Sequence, residues 1–594
     1  MGIRFQKILC VGAIIVGCIA ALLILVSKLL QENLPNVLVL ENKELEFDYI
    51  IVGAGTAGST LTSLLTKHSN GSVLLIEAGG SFGYLSRIPL LSTFQQMGPN
   101  DWSFLSVPQK HSSKGLIEQR QCLPRGKGLG GSANLNYMLH FDGYGPDFDA
   151  WHKLHNLSDW SWTDMRPFMA AATPKKMDLY EIPRDYSMLS LALEESKAEF
   201  VEQSWQFRRS VYNIKNGLRH SVLQQFLLPV LNSVNLRLLP KTLVKRIKLS
   251  STPNLKASSV LVGIKDEQNK EVEFNIKVRR ELLLCAGAYQ TPQLLLASGI
   301  GDSTLLTQMK LTVQHHLPMV GQGLHDHFNV PLFVSIGSIG PTLNQRTLLS
   351  PMNLLNYLSR GTGFFGNFGV LGQVSGHEES LPFGITFFGA GAIDESAFMS
   401  ISNFKRSAFR ALFPLFHNAT QEGFIVISNC LQPKSRGTVT LLNKNMRRKP
   451  LIDPNYLSRD QDVTCIIAAI RNAVKVVRSS AFAKLQPKIH WPKLRECSNF
   501  GPFDRDFAEH QPSDHYLECV MRHIGLGSHH PGGSCALGSV VDSQLRLKGI
   551  SNVRVVDASV LPRPISGNPN TVITAIAIRA SSIVLKSELQ DSLL

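Results

Sequence analysis

Residues 47–58 read FDYIIVGAGTAG, a short hydrophobic run that leads into glycines at positions 53, 55 and 58. A run of this length, with β-branched and aromatic residues, is typical of a parallel strand buried on both faces. Helical spacing follows over residues 60–65, and SVLLIE at 72–77 predicts a second buried strand. The order strand, glycine turn, helix, strand predicts a βαβ unit and therefore an α/β fold.

The three glycines have the spacing of a dinucleotide-binding turn. Gly53 would make the turn, Gly55 would let the backbone approach a pyrophosphate, and Gly58 would let the helix pack on the strand. Glu77 lies nineteen residues after Gly58, where a carboxylate accepts hydrogen bonds from ribose hydroxyls and repels a 2′-phosphate. The pattern predicts a dinucleotide site and argues against NADP, but alone it does not separate FAD from NAD.

Later segments extend this sheet. Residues 281–286 and 553–557 have the same buried-strand character as residues 47–52. Because strands far apart in sequence can assemble into one doubly wound sheet, we expect a discontinuous nucleotide domain. Residues 330–430 are rich in Gly, Phe, Ser and Pro without helical period, and they fit the sheet and loops of a second, substrate-facing layer.

The composition excludes several classes of protein. The 594 residues are 44% hydrophobic and 18% charged, which excludes a disordered chain, a collagen and a polytopic membrane protein. The net charge of +15 is mild over this length, and no dense Lys/Arg cluster occurs, so no nucleic-acid partner is expected. The charge indicates only a weak preference for anionic ligands or an anionic membrane face.

The N-terminus carries a targeting signal. Residues 8–26 are nineteen residues without a charge, preceded by Arg4 and Lys7. Their length favours a retained signal anchor within residues 1–30, that is, one N-terminal transmembrane helix, over a cleaved signal peptide. The early basic residues place the body of the protein in the secretory lumen or outside the cell, and the protein would be secreted if the segment is cleaved.

The nine cysteines show no zinc or dithiol spacing. Two lie in the N-terminal apolar run, and the remaining seven, an odd number, do not indicate a disulfide framework. His325, Asp326 and His327 are adjacent in sequence and cannot all converge on one ion, so we expect no metal site.

A second glycine-rich loop, RGKGLGGSANLN at residues 125–136, has backbone N–H groups that can face an anion or an isoalloxazine edge. Together with the first glycine turn, with CAGAYQTPQLLLASGIG at 285–301, VGQGLHDH at 320–327 and the block at 529–570, it resembles the glucose–methanol–choline (GMC) flavin oxidoreductases. The resemblance spans about residues 47–590. It implies FAD as cofactor, held by a discontinuous Rossmann-type FAD-binding domain with a sheet-containing substrate-binding cap domain.

The resemblance also implies domain limits and cofactor contacts. Residues 45–320 would form the N-terminal FAD-binding region, 321–430 the substrate-domain sheet and loops, and 431–585 the C-terminal region with the catalytic pair. The residues that match cofactor-binding positions are Gly53, Gly55, Thr56, Ala57, Gly58, Glu77, Gly130, Gly131, Ser132, Asn134, Asn136, Val244, Asp557, Ala558, Pro569 and Asn570. Pro569 and Asn570 would open the final helix, whose positive end would lie near the flavin.

The catalytic pair implied by the resemblance is His530 and Asn568. Neutral His530 would accept the proton of an alcohol hydroxyl while hydride passes from the carbinol carbon to flavin N5, and Asn568 would donate a hydrogen bond to the alkoxide. A histidine pKa near 6.5 suits this role. His529 is the neighbouring alternative, and the register against Pro531 favours His530.

Several functions stay open from the sequence. Phenylalanines at 364, 365, 368, 383, 387 and 388 favour an apolar substrate over a sugar or choline, and the resemblance to insect members of the family implies a retinoid or steroid alcohol. A flavin-containing lyase without net redox chemistry and a non-enzymatic binding protein are the alternatives. The electron acceptor, oxygen or a quinone, is not fixed by the sequence. Departures from the family pattern, such as Ser534 for Thr and Arg579 for an acid, leave His530 and Asn568 in place.

Overall fold

The computed structural model describes residues 34–38, 45–251, 254–265, 268–337, 342–378, 381–500 and 512–585. Its centre is a seven-stranded sheet, here called the nucleotide sheet. From one edge, its strands run Leu236–Leu239, Val73–Ile76, Leu45–Val52, Glu271–Leu284, Lys256–Lys265 and Thr242–Ser250, and Val553–Val555 also pairs with Glu271–Leu284. Strands from both ends of the chain meet in this sheet, which confirms the discontinuous Rossmann-type domain.

The predicted βαβ unit is present. Leu45–Val52 pairs in parallel with Val73–Ile76, and the helix Thr56–His68 connects them. A Cβ on Gly58 would lie 1.8 Å from the carbonyl oxygen of Gly53, so the helix can approach the strand this closely only because residue 58 has no side chain. This contact sets the start of the helix directly above the end of the strand.

A second seven-stranded sheet, the cap sheet, is antiparallel. From one edge, its strands run Lys488–His490, Phe328–Ser335, Gly423–Cys430, Phe383–Phe388, Val370–Gly376 and Gln206–Arg209, and Leu526–Gly527 also pairs with Phe328–Ser335. The region predicted from sequence supplies the four central strands, and the outer strands come from segments before and after it. The helix Asp460–Val477 packs on one face of this sheet, where its buried alanines belong to the same hydrophobic cluster as Phe387 and Val426.

The remaining elements connect and cover the two sheets. The α-helices are Thr56–His68, Gly145–His155, Trp162–Ala172, Met188–Ser196, Gly287–Ala297, Ser303–Gln308, Gln345–Leu348, Pro351–Arg360, Glu395–Ser402, Arg406–Leu412, Asp460–Val477, Ser480–Ala483, Asp514–Ile524 and Asn570–Leu585. The small sheets are Phe104–Leu105 with Cys122–Leu123, Tyr180–Glu181 with Val211–Tyr212, Ile214–Lys215 with Leu218–Arg219, Ile300–Gly301 with His315–His316, and Gln322–Leu324 with Gly437–Thr440 and Leu451–Asp453.

The fold prediction was wrong in its one transmembrane helix. Among the helices of the described ranges, none combines the length and the apolar character needed to cross a bilayer. Residues 8–26, on which that prediction rested, lie outside the described residues.

The cysteines also differ from the sequence prediction. Cys430 is bonded to Cys465, and Cys497 to Cys519, while Cys122, Cys285 and Cys535 are free and buried. An odd number of cysteines did not predict the two disulfide bonds, because the seven cysteines here divide into four bonded ones and three free, buried ones. The first bond ties the end of a cap-sheet strand to the helix Asp460–Val477, and the second ties residue 497 to the helix Asp514–Ile524.

Candidate active site

A groove of about 150 Å³ crosses the carboxyl edge of the nucleotide sheet. Ten of the predicted cofactor-binding residues line it: Gly53, Gly55, Thr56, Ala57, Glu77, Gly131, Ser132, Val244, Asp557 and Ala558. They come from both ends of the chain, as the resemblance implies. The groove lies at the start of the helix Thr56–His68, whose first N–H groups have no side-chain cap and can therefore bind an anion.

Glycines, which have no side chain, keep the groove open. A Cβ on Gly55 or on Gly287 would meet no protein atom within 4 Å, although both residues line the groove. A side chain at either position would therefore project into the open space that a ligand needs. A Cβ on Gly131 would lie 2.6 Å from the Cα of Gly55, so the two glycine-rich loops are in direct contact. This cradle fits a dinucleotide whose pyrophosphate approaches the backbone.

Glu77 lies at the end of its strand with its side chain buried in the groove wall. One carboxylate oxygen accepts from the N–H of Ala54 at 2.8 Å and the other from the N–H of Gly79 at 2.9 Å. Burial raises the pKa of Glu77 to about 7, against the opposing effect of these N–H groups. The backbone N–H groups of Gly128 and Ala78 also hydrogen-bond to this carboxylate, so donors of the protein surround it at the groove wall.

Asp557 lines the groove, but its carboxylate accepts hydrogen bonds from groups of the protein. One oxygen accepts from the N–H of Gly287 at 2.9 Å and from the hydroxyl of Thr291 at 2.6 Å, at the start of the helix Gly287–Ala297. The other accepts from the N–H of Ser559. Because this helix end is already satisfied, the open helix end at Thr56 is the better place for a pyrophosphate.

The other predicted cofactor residues, Gly58, Gly130, Asn134, Asn136, Pro569 and Asn570, are not among the groove-lining residues. The Asn134 amide donates to the carbonyl of Leu129 within its own loop. The Asn136 side-chain oxygen accepts from the buried guanidinium of Arg219 at 2.7 Å. Asn570 accepts from the Thr56 hydroxyl at 2.8 Å, joining the starts of two helices. Through these contacts, Asn134, Asn136 and Asn570 stabilise the walls of the groove.

A chamber of about 560 Å³ lies against the cap sheet, and both His530 and Asn568 line it. Residues Asn329, Gln373, Thr386 and Ile427, from four adjacent strands of the cap sheet, line it as well. Pro531 lines the groove, whereas His529 and His530 line the chamber. The two cavities therefore flank the same segment of chain, and the two predicted catalytic side chains share one cavity.

A hydrogen-bonded pair of histidines fixes the protonation of His530. Nδ1 of His530 lies 3.0 Å from Nδ1 of His327, and Nε2 of His327 lies 3.0 Å from the carbonyl oxygen of Leu431. A carbonyl can only accept, so His327 donates from Nε2 and, being neutral, accepts at Nδ1. His530 must then donate from Nδ1. Its Nε2 is left with a free lone pair, which is the form that a general base requires.

Further contacts hold the backbone of residues 529 and 530. The N–H of His530 donates to Asp326 at 2.7 Å, and Asp326 also accepts from the hydroxyl of Tyr456 at 2.6 Å. The carbonyl of His529 accepts from the guanidinium of Arg125 at 2.6 Å. His529 has φ of +63°, a left-handed conformation that these contacts support. Asp326 and His327 therefore belong to the site.

The expected histidine pKa near 6.5 needs correction. Burial lowers the pKa of His530 well below that value, and the nearby histidines and Arg125 lower it further. Burial likewise lowers the pKa of His327 to about 4. Both rings are therefore neutral at neutral pH, which is the premise of the hydrogen-bond chain through His327. The sequence could not reveal this shift because it depends on the surroundings of the ring.

Asn568 lies on a loop that is pinned from the side of the helix Gly145–His155. Asp147 accepts from the N–H and the hydroxyl of Ser566, both at 2.7 Å. Gln432 donates to the same serine hydroxyl at 2.9 Å. A Cβ on Gly567 would lie 2.7 Å from the ring of Phe141, so this ring closes on the loop one residue before Asn568. The carboxamide is thus presented to the chamber from a fixed backbone.

Comparison with known proteins identifies the family. Two family models described as GMC oxidoreductase match residues 47–329 and 433–577. The chain is 68% identical over 592 residues to Neither inactivation nor afterpotential protein G of Drosophila melanogaster, with 99% of both proteins covered. It is 29% identical to ecdysone oxidase of Bombyx mori, over 94% of this chain and 84% of that protein. Pyridoxine 4-oxidase from Mesorbium loti has a similar fold, with a TM-score of 0.71, 22% identity and coverage of 90% and 98%.

The chain belongs to the GMC oxidoreductase family. It is an FAD-dependent oxidoreductase that acts on the CH–OH group of alcohols. The groove described above fits this cofactor, because its glycine cradle, its open helix end and the Glu77 carboxylate match the parts of a dinucleotide.

Sequence reasoning missed three residues of the site. Arg125 lies inside the glycine-rich loop and Asp326 and His327 lie in a motif that supports the resemblance, yet none of the three was assigned to cofactor or catalysis. Their place in a motif shared with the family was a signal, but only the fold shows that residue 327 meets residue 530, which is 203 positions away.

Proposed function

We propose that this enzyme oxidises an apolar alcohol of the retinoid or steroid class, with His530 as the general base. The character of the chamber carries this proposal. At about 560 Å³ it lies within the range of about 300–1,000 Å³ that is usual for sites binding drug-sized ligands. A polar sugar would bury hydroxyls against largely apolar walls, at a cost of about 1–3 kcal/mol for each hydroxyl left unpaired.

The chamber walls are largely aliphatic and aromatic. The apolar lining residues include Leu90, Tyr137, Leu139, Phe141, Phe368, Val370, Ile385, Phe388, Ile393, Phe398, Phe413, Ile425, Ile427 and Leu431. Such walls stabilise an apolar ligand by about 25 cal/mol for each Å² of apolar surface removed from water. An ecdysone oxidase, a glucose dehydrogenase and a choline dehydrogenase are about equally similar to this chain, at 27–29% identity, so the walls of the chamber carry the choice of substrate.

The proposed mechanism uses one free ring nitrogen. Nε2 of His530 accepts the hydroxyl proton of the alcohol, since Nδ1 is committed to His327. Bound FAD supplies the acceptor for the hydride that leaves the carbinol carbon. Because the pKa of His530 is low, full proton transfer before the hydride leaves would be strongly uphill. The proton therefore moves as the hydride departs, and Asn568 donates a hydrogen bond to the oxygen while it carries negative charge.

We further propose that the protein matures in the secretory pathway. The two disulfide bonds support this location, because disulfides form and persist in oxidising compartments and are rare in the cytosol.

A panel of alcohols tests the proposed function. The purified enzyme is mixed anaerobically with retinols, ecdysteroids, glucose and choline, and the loss of flavin absorption is followed. We expect the apolar alcohols to reduce the flavin and glucose and choline to leave it oxidised. Reduction by glucose or choline alone would support a sugar or choline dehydrogenase and refute the apolar substrate. Turnover of a hydroxynitrile without any flavin bleaching would favour the lyase alternative.

A further inference from the structure

The helix Pro351–Arg360 presents an uncovered apolar face. None of its ten residues is buried. Met352, Leu355 and Leu358 are 61%, 57% and 62% exposed, and their spacing of three residues places them along one side of the helix. Leucines so exposed on a regular helical face are unusual on a protein that has no contact there, because a contiguous apolar patch commonly marks an interaction surface.

This face adjoins the mouth of the chamber. Six chamber-lining residues are themselves exposed, namely Phe94, Arg208, Leu348, Asp394, Ala397 and Ser400, and of these Phe94 and Leu348 mark the opening on the side of the helix. Leu348 ends the preceding short helix Gln345–Leu348, and the extended residue Ser350 separates it from Met352. The helix also packs on the segment Phe364–Gly366, which packs on the segment Pro89–Gln95 that carries Phe94. The entrance and the exposed leucines therefore form one surface, here called the entrance face.

The helix Pro351–Arg360 and the segments beside it carry basic but no acidic residues. Residues 342–377 contain no Asp or Glu. Their arginines are Arg360 and Arg346, of which Arg346 is ion-paired with the buried Glu422 at 2.7 Å, and residues 82–100 contain only Arg87 as a charged side chain. The acidic residues at the mouth lie on the opposite rim, at Asp394 and Glu395, and Glu395 is paired with Arg410. An apolar helix face flanked by arginines matches the boundary between anionic headgroups and acyl chains.

We propose that the entrance face docks on the surface of a lipid bilayer, and that the alcohol enters the chamber directly from the lipid. The docking is peripheral and reversible, because the helix is short and only one of its sides is apolar. That the entering molecule is an apolar alcohol rests on the proposed function. Such an alcohol partitions into the acyl region of a membrane. The docking itself rests only on the exposed leucines, the arginines and the position of the mouth.

The first test needs no substrate. The full-length holoenzyme, with Cys10→Ala and Cys18→Ala to remove thiols near the N-terminus, receives an environment-sensitive dye through Leu355→Cys. A matched protein carries the dye through Leu154→Cys, because Leu154 is 65% exposed on a different helix, Gly145–His155. Vesicles of phosphatidylcholine and phosphatidylserine are added. We expect a blue-shifted, more intense emission at position 355 and none at position 154.

An unchanged emission at position 355, or an equal change at both positions, overturns the docking. Binding of vesicles through residues 1–33 alone would give either an unchanged emission at position 355 or an equal change at positions 355 and 154. A change at position 355 that depends on protein concentration and occurs without vesicles assigns the entrance face to a second copy of this chain, and it also overturns the proposal.

The second test measures delivery. In the double variant Leu355→Glu and Leu358→Glu, we expect flavin reduction by an alcohol dissolved in vesicles to be at least about tenfold slower at limiting vesicle concentration, since the loss of one buried leucine alone can cost that factor. Reduction by a short water-soluble alcohol should not change, and Leu154→Glu should behave as the parent. If no apolar alcohol reduces the parent, the proposed function fails while the dye result still stands; equal rates for parent and double variant refute the delivery.

Discussion

Replacement of His327 gives the sharpest test of the catalytic geometry. In His327→Leu, the reactive tautomer of His530 would direct an unpaired Nδ1–H at an apolar side chain. An unsatisfied buried donor costs about 1–3 kcal/mol, which corresponds to a decrease of about 5- to 150-fold in the population of that tautomer and in the rate. In His327→Asn, the side-chain oxygen can still accept from Nδ1, so we expect a rate within about threefold of the parent.

Anaerobic stopped-flow measurement of flavin reduction at saturating alcohol separates these effects. Both variants lose the bond from residue 327 to the carbonyl of Leu431, so any general damage to the fold is common to them. The flavin spectrum confirms in each case that FAD is bound. If His327→Leu reduces flavin at the parental rate, or if the two variants are equally slow, His327 does not set the tautomer of His530.

Other consequences can be measured in the same enzyme. His530→Ala should slow flavin reduction by about 10²–10⁴-fold with the yellow cofactor still bound; a parental rate would mean that the base is another group. Since the pKa of His530 lies below 6.5 and its neutral form is the active one, activity should fall only as the pH drops through that lower value, and an acid limb centred above 6.5 in the rate profile would contradict this. Gly55→Leu should fold, as judged by its circular dichroism, but purify without flavin, because its side chain would fill the groove; a yellow preparation would show that FAD lies elsewhere. Cys430→Ser with Cys465→Ser opens a loop of 35 residues and should lower the free energy of unfolding by about 4 kcal/mol, and an unchanged melting temperature in a thermal scan would argue that the bond does not form.

The glycine turn and its strands could be predicted from sequence because each signal is local. A hydrophobic run, a glycine at position 58 and an acid at position 77 have the same meaning wherever the remainder of the chain lies. The family motifs then placed His530 and Asn568, and the structure brings both to one chamber. Their catalytic roles remain predictions, because geometry alone does not test them.

What could not be predicted depends on contacts between distant segments. The partner of a cysteine, the lowered pKa of His530 and the role of His327 arise only when residues far apart in sequence become neighbours. Arg579, which stands where relatives often have an acid, is a further example. Its guanidinium lies 4.3 Å from the centre of the Trp160 ring, so an aromatic face provides a favourable contact there. From the sequence, this change could equally have meant altered flavin packing.

The chain of hydrogen bonds behind His530 ends at a main-chain carbonyl, and this has a consequence for each catalytic cycle. The oxygen of Leu431 can accept a hydrogen bond but cannot take up a proton at physiological pH. The two imidazoles therefore cannot pass a proton on to a further acceptor. The proton gained at Nε2 has to depart on the side where the alcohol entered, so the enzyme can recover its base only when water or an outgoing molecule reaches that side of the ring.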